Sequence, residues 1–150
     1  MMTLRQHDRL TPVLAIAGTV LLWLPILAPI LFMLRPLISA GVVQFDYLMP
    51  AELFLVALVG GGLALWASVR ARSRTTLLGW TMGIAFVALA GGQLWALASG
   101  LATGATPAAG WQWWLALASI AVYTVGVLFA AVLGTMLVAE LLRRSRRPTP

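Results

Sequence analysis

The chain has 150 residues, 61% of them hydrophobic and 9% charged, with a mean hydropathy of +0.96 and a formal net charge of +6. An ordinary soluble domain carries about 25% charged residues, so this balance excludes that class and points to an all-α integral membrane protein. The lack of cysteine excludes disulfides and thiolate metal sites, and the single histidine, His7, lies in the polar N-terminal stretch, so no haem, metal or other cofactor is expected.

The first expected span covers residues 12–34, an uncharged run long enough to cross about 30 Å of hydrocarbon at about 1.5 Å per helical residue. Thr11 and Pro12 suit an N-cap and first helical position, and Arg35-Pro36 reads as a snorkelling charge followed by a stop. The basic start and the small pair Ser39-Ala40 raise the alternative of a cleaved signal peptide. The apolar run exceeds the roughly 7 to 15 residues of such peptides, so a retained helix is the expectation. Pro25 and Pro29 share a face and deprive the carbonyls of Leu21 and Pro25 of their usual donors, which predicts a structural kink in the outer half of this span.

The second span is expected over residues 50–70, opening with Pro50 and with Glu52 in the favourable first turn. Only residues 53–69 are free of charge there, which places Glu52 at the membrane boundary. From Thr75 to Ala139 no residue is charged, enough chain for two spans and a connection. Ser99, Gly100, Thr103, Gly104, Thr106, Pro107 and Gly110 mark the break. The third span is thus placed at 76–98 and the fourth at 112–141, the last long enough to tilt or project into water. The outer loops are then 35–49 and 99–111, the inner loop 71–75 and the basic C-terminal tail 142–150.

Arginine placement bears on this division independently. Nine of the ten arginines (Arg5, Arg9, Arg70, Arg72, Arg74, Arg143, Arg144, Arg146 and Arg147) fall on one side of a four-span up-down bundle, and Arg35 alone falls on the other. The positive-inside rule then puts both termini in the cytoplasm. Tryptophan, which favours interfaces, repeats the pattern: Trp66 and Trp80 fall at the inner boundary and Trp95, Trp111, Trp113 and Trp114 at the outer one. Trp23 is the exception, near mid-span.

Helices in lipid associate through close contact between small residues. Three stripes spaced for such contact are expected to be packing faces: Ala57, Gly61, Ala64 and Ser68 in the second span, Gly79 and Gly83 in the third, Gly126, Ala130 and Gly134 in the fourth. Trp23, Tyr123 and the run Gly60-Gly61-Gly62 reach the same depth at about 1.5 Å per residue, so Trp23 or Tyr123 is expected to fill the notch those glycines leave. Gln93 is the strongest polar residue inside a span. Near the level of Ser119, it reads as interhelical glue.

Glu52, Arg70 and Glu140 sit at the ends of their spans and no charged residue falls in the membrane interior, which weakens any ion or proton path. The outer surface is the richest place to look for chemistry, through Arg35, Asp46, Tyr47 and Glu52, yet no histidine or nucleophile motif joins the two acids there. At the C-terminal end Glu140 is spaced to pair with Arg143 and Arg144, and the basic run beyond it suits topology fixation and attraction to anionic lipid better than nucleic-acid binding.

The expected function is therefore that of an assembly, accessory or lipid-interacting membrane protein with no catalytic centre. The alternatives are a small channel or transporter formed by an oligomer, and an interfacial enzyme using Asp46 and Glu52. The lipid bilayer is the expected partner, with a homo-oligomer or larger membrane complex as further candidates. Residue usage rich in alanine, arginine and tryptophan without lysine suggests GC-rich bacterial DNA and hence the cytoplasmic membrane.

Overall fold

The computed structural model describes residues 3–40, 52–105, 107 and 109–145, with side chains in the first helix described from Leu10 to Leu31 and in the second from Leu53. Four helices account for nearly all of it: α1 (Thr3–Ala40), α2 (Glu52–Ala71), α3 (Thr75–Ala98) and α4 (Gly110–Ser145). Each is long and apolar enough to cross a membrane.

Two expected helix ends in α1 are corrected. The helix begins at Thr3, so Pro12 lies inside it rather than at its start, and it continues through Pro36 to Ala40, so Arg35-Pro36 does not stop it. A proline removes one amide donor and crowds the carbonyl four residues earlier. The turns on either side keep their own bonds, and a strongly helical flank holds the segment together. The helix is likewise continuous through Pro25 and Pro29.

The connection between α2 and α3 is only three residues long and takes a form usually built with glycine. Arg72 closes α2 in the left-handed region at φ 50°, where the Arg72 amide donates to the Val69 carbonyl (3.2 Å) and the Ser73 amide to the Ser68 carbonyl (3.1 Å). This is the Schellman pattern, which satisfies two of the carbonyls orphaned at a helix end. Arg74 is left-handed again at φ 57° and accepts the first helical bond of α3 from the Leu78 amide (3.0 Å). Between α3 and α4, Gly100 and Gly104 take positive φ within a hydrogen-bonded turn, in the region where composition predicts a break.

Contacts run antiparallel between successive helices. Ala15 of α1 meets Ala67 of α2 and Leu137 of α4 at one level. Gly61 of α2 faces Met82 of α3, and Gly126 of α4 faces Ala85 of α3. α1 packs along α2 and α4, α3 packs mainly on α4, and α1 and α3 do not meet among the described residues. The buried core is made of small side chains such as Ala57, Ala64, Ala130 and Ala131 with a few large ones, Leu22, Leu78, Val127 and Leu133. Large apolar residues point outward instead: Leu31, Leu55, Trp80, Val87, Leu94 and Val125 are all at least 57% exposed. In water such a surface would be an association liability, whereas hydrocarbon solvates it.

Candidate functional site

Polar side chains of different helices meet at two places among the described residues. The first is the middle of the bundle, where α1 and α2 touch backbone to backbone. A Cβ at Gly18 would lie 2.6 Å from the Ala64 nitrogen and 2.8 Å from the Gly60 carbonyl oxygen, and one at Gly60 would lie 2.8 Å from Leu21 Cβ. On the far side of α1, Thr19 fits against Gly134 of α4, where an added Cβ would stand 2.6 Å from Thr19 Oγ1. The Thr19 hydroxyl donates to the Ala15 carbonyl at 2.7 Å, so this buried polar group is satisfied within its own helix. The indole N–H of Trp23 donates across to Thr135 Oγ1 on α4 at 3.2 Å, and Thr135 in turn donates to the Ala131 carbonyl at 2.8 Å.

The glycine run is thus filled differently from the sequence expectation. α1 itself, through Gly18 and Leu21, occupies the space at Gly60; the Met82 side chain occupies that at Gly61; Gly62 faces outward with nothing within 4 Å. Three consecutive residues on a helix span some 200° of its circumference, so they cannot form one notch. Trp23 turns toward Thr135, while Tyr123 lies against Phe54, whose ring also meets Phe86 edge-on at a centroid distance of 5.6 Å.

The expected packing stripes divide in the same way. Ala57, Gly61, Ala64 and Ser68 are all buried in α2, Ala130 and Gly134 are buried in α4, and Gly126 abuts Ala85. The α3 stripe is corrected: Gly83 meets nothing within 4 Å, Gly79 reaches only the end of Leu65 at 3.8 Å, and α3 buries Leu78, Met82 and Ala85 instead. Gln93 is exposed rather than inserted between helices, and Ser119 packs on the neighbouring Gly92 while donating to the Ala116 carbonyl at 2.7 Å. Gly18 and Thr19 escape notice in the sequence because a lone glycine makes no stripe. Together with Ala15 they form the small-residue cluster that could have revealed them.

The second place is the arginine-rich end of the bundle, centred on Glu140. Its carboxylate accepts a hydrogen bond from the Ser73 hydroxyl at 3.0 Å, pairs with Arg144 one helical turn on, and stands 3.9 Å from the Arg74 guanidinium. Arg74 also donates to the Met136 sulfur at 3.5 Å. Glu140 thereby ties the α2–α3 turn to α4. Helical spacing foretells the Arg144 pair; Arg143, the other expected partner, makes no hydrogen bond or ion pair among the described residues.

The opposite end carries the tryptophans. Trp95 and Trp111 stack at a tilt with centroids 5.3 Å apart, Trp111 and Trp114 are at least 65% exposed, and the buried indole N–H of Trp95 has no acceptor among the described residues. Of the outer-surface candidates, Asp46 and Tyr47 lie outside the described residues. Arg35 falls within α1 and Glu52 opens α2, with their side chains outside the described set. Among the described residues no group of His, Asp or Glu could hold a metal ion. Searches against protein-family models, curated proteins and solved structures return no match for this chain.

Proposed function

We propose that this chain is a multi-pass protein of a bacterial cytoplasmic membrane, with both termini and the Arg72–Arg74 turn inside, acting as a non-catalytic accessory or assembly protein. The observation that carries this reading is the contrast between a closed interior and an open exterior. Glycine and alanine bring the backbones of α1, α2 and α4 together around satisfied hydroxyls, leaving the middle of the bundle to packing. α3 fully buries only Leu78, Met82 and Ala85, packs on α4 along one side, and leaves Leu77, Trp80, Ile84, Val87, Leu94 and Leu97 exposed on the other.

The two tryptophan levels support insertion. Along α3, Trp80 and Trp95 are separated by fifteen residues, about 22 Å of helix, a spacing that seats indoles just inside the two faces of a hydrocarbon core of about 30 Å. The arginine bias supports the sidedness.

The test is crosslinking in intact membranes from a photoreactive residue placed at Val87, 74% exposed on α3. A discrete larger adduct containing a different membrane protein is expected. Recovery of lipid adducts alone removes the accessory role. Purified protein in liposomes should show ion and solute flux at background level, and flux above it would replace this reading with the transport one. Joint alanine replacement of Asp46 and Glu52 should leave any associated phenotype intact, and loss of it would favour the enzyme.

A further inference from the structure

We propose that the arginine-rich end of the α3–α4 seam is a seat for one anionic phospholipid, with its phosphate held by Arg74 and Arg143 and one acyl chain lying in the seam. The proposal takes from the functional reading only that this end of the bundle lies at a membrane surface.

A hollow of about 520 Å³ opens between Arg74, at the start of α3, and Met136, Ala139, Arg143 and Arg144 on α4, with Glu140 in its wall. One carboxylate faces three guanidinium groups there, so two positive charges are left over. Arg144 is committed to Glu140, Arg74 is held more loosely at 3.9 Å, and Arg143 is unpaired among the described residues. Guanidinium matches a phosphodiester through parallel N–H donors, and basic pockets between helices at a membrane surface are where anionic headgroups settle.

A second hollow, of about 400 Å³ and almost wholly apolar, lies farther along the same seam between Thr81 and Ile84 of α3 and Val122, Val125 and Phe129 of α4. Val122, Val125, Phe129, Met136 and Arg143 recur at helical spacing, so both hollows open on one face of α4. The exposed side chains of Leu77 and Val132 lie between them. Thr81 spends its hydroxyl on the Leu77 carbonyl at 2.7 Å, which leaves no free donor in that wall.

Charge and depth together point to the occupant. From Arg74 to Thr81 and Ile84, the α3 residues of the apolar hollow, is seven to ten residues, about 10 to 15 Å, within the half of the hydrocarbon thickness that the chains of one leaflet fill. A soluble phosphate has no use for the apolar hollow, and a partner helix has none for unpaired arginine. A phospholipid with a negative headgroup uses both.

The experiment is native mass spectrometry of the protein released from micelles containing equal amounts of dioleoyl phosphatidylglycerol and dioleoyl phosphatidylcholine. At about 1 kcal/mol per basic residue, each arginine contributes about fivefold, so the anionic lipid should be retained at least about fivefold over the zwitterionic one. Joint Arg74→Gln and Arg143→Gln replacement should bring the two lipids level. Val125→Trp keeps every charge and fills the apolar hollow; it should cut retention of the dioleoyl lipid several-fold and spare dihexanoyl phosphatidylglycerol, which keeps the test decisive where the arginine variant fails to fold. Equal retention by the unmodified protein, selectivity unchanged in both variants, or complete displacement of the dioleoyl lipid by inorganic phosphate would overturn the proposal. Loss of lipid selectivity with the Val87 adduct intact separates this failure from failure of the accessory reading.

Discussion

Gly18 and Gly60 bring α1 and α2 into backbone contact, with the position a Gly18 Cβ would take only 2.8 Å from the Gly60 carbonyl oxygen. Backbone atoms cannot swing aside as a flexible side chain does, so Gly18→Ala should push the helices apart at a cost of about 1 to 3 kcal/mol. The matched control is Gly62→Ala, which meets open space and should be neutral or stabilising by up to about 1 kcal/mol through helix propensity. Gly61→Ala should fall between them, because its neighbour is the adaptable Met82 side chain. Reversible unfolding in mixed micelles checks the order, and equal effects at positions 18 and 62 would contradict the packing.

The Trp23 indole and the Thr135 hydroxyl form a hydrogen bond between helices 112 residues apart in sequence. Such bonds within membrane bundles average about 0.6 kcal/mol. A double-mutant cycle with Trp23→Phe and Thr135→Val should give a coupling of about that size. A coupling indistinguishable from zero would show that Trp23 contributes by packing alone.

The α2–α3 turn places arginine where glycine would relieve backbone strain. Arg72→Gly should stabilise the protein by up to about 1 kcal/mol, since a side chain in the left-handed region costs about 1 to 2 kcal/mol. Arg74→Gly relieves the same strain and gives up the approach to Glu140, so its gain should be smaller. Thermal unfolding of both variants in one detergent checks the ranking.

Glu140→Ala removes the acceptor for Ser73 and the partner of Arg144 and Arg74 together. The expected outcome is a looser α2–α3 turn, read as faster tryptic cleavage after Arg72 or Arg74. Rising salt should narrow the difference from the unmodified protein, because exposed ion pairs are screened. Ser73→Ala should have a smaller effect of the same sign.

α1 and α2 were legible in the sequence because each depends on the length of one uncharged run, and α3 and α4 because a single run too long for one span is divided by a glycine-, threonine- and proline-rich stretch. The turn between α2 and α3 was legible because three arginines crowd between two such runs. The ends of α1 were not, since Pro12 and Pro36 obey a local rule that a strongly apolar helix overrides. In α2 and α4 the spacing of small residues coincides with the buried face. In α3 the same spacing at Gly79 and Gly83 does not, because a stripe reveals only that a face could pack closely and says nothing of whether a neighbour reaches it. The contacts of Glu140 with Ser73 and Arg74 join residues 66 or 67 positions apart, and only the helix arrangement brings them together. The proposed lipid seat on α3 and α4 was half visible: the basic run at the end of α4 suggested attraction to anionic lipid, while the nearness of Arg74 and the apolar hollow on the same face follow only from the packing of the two helices.

The natural lack of cysteine allows a direct test of insertion and sidedness. Single cysteines introduced by Thr103→Cys, in the α3–α4 connection, and by Ser145→Cys, at the end of α4, are exposed to a membrane-impermeant maleimide added to intact cells. Labelling of the residue 103 variant alone, with the residue 145 variant reacting only after the membrane is opened, is the predicted result. Labelling of residue 145 in intact cells, or equal labelling of both, would contradict the arrangement on which the functional reading rests.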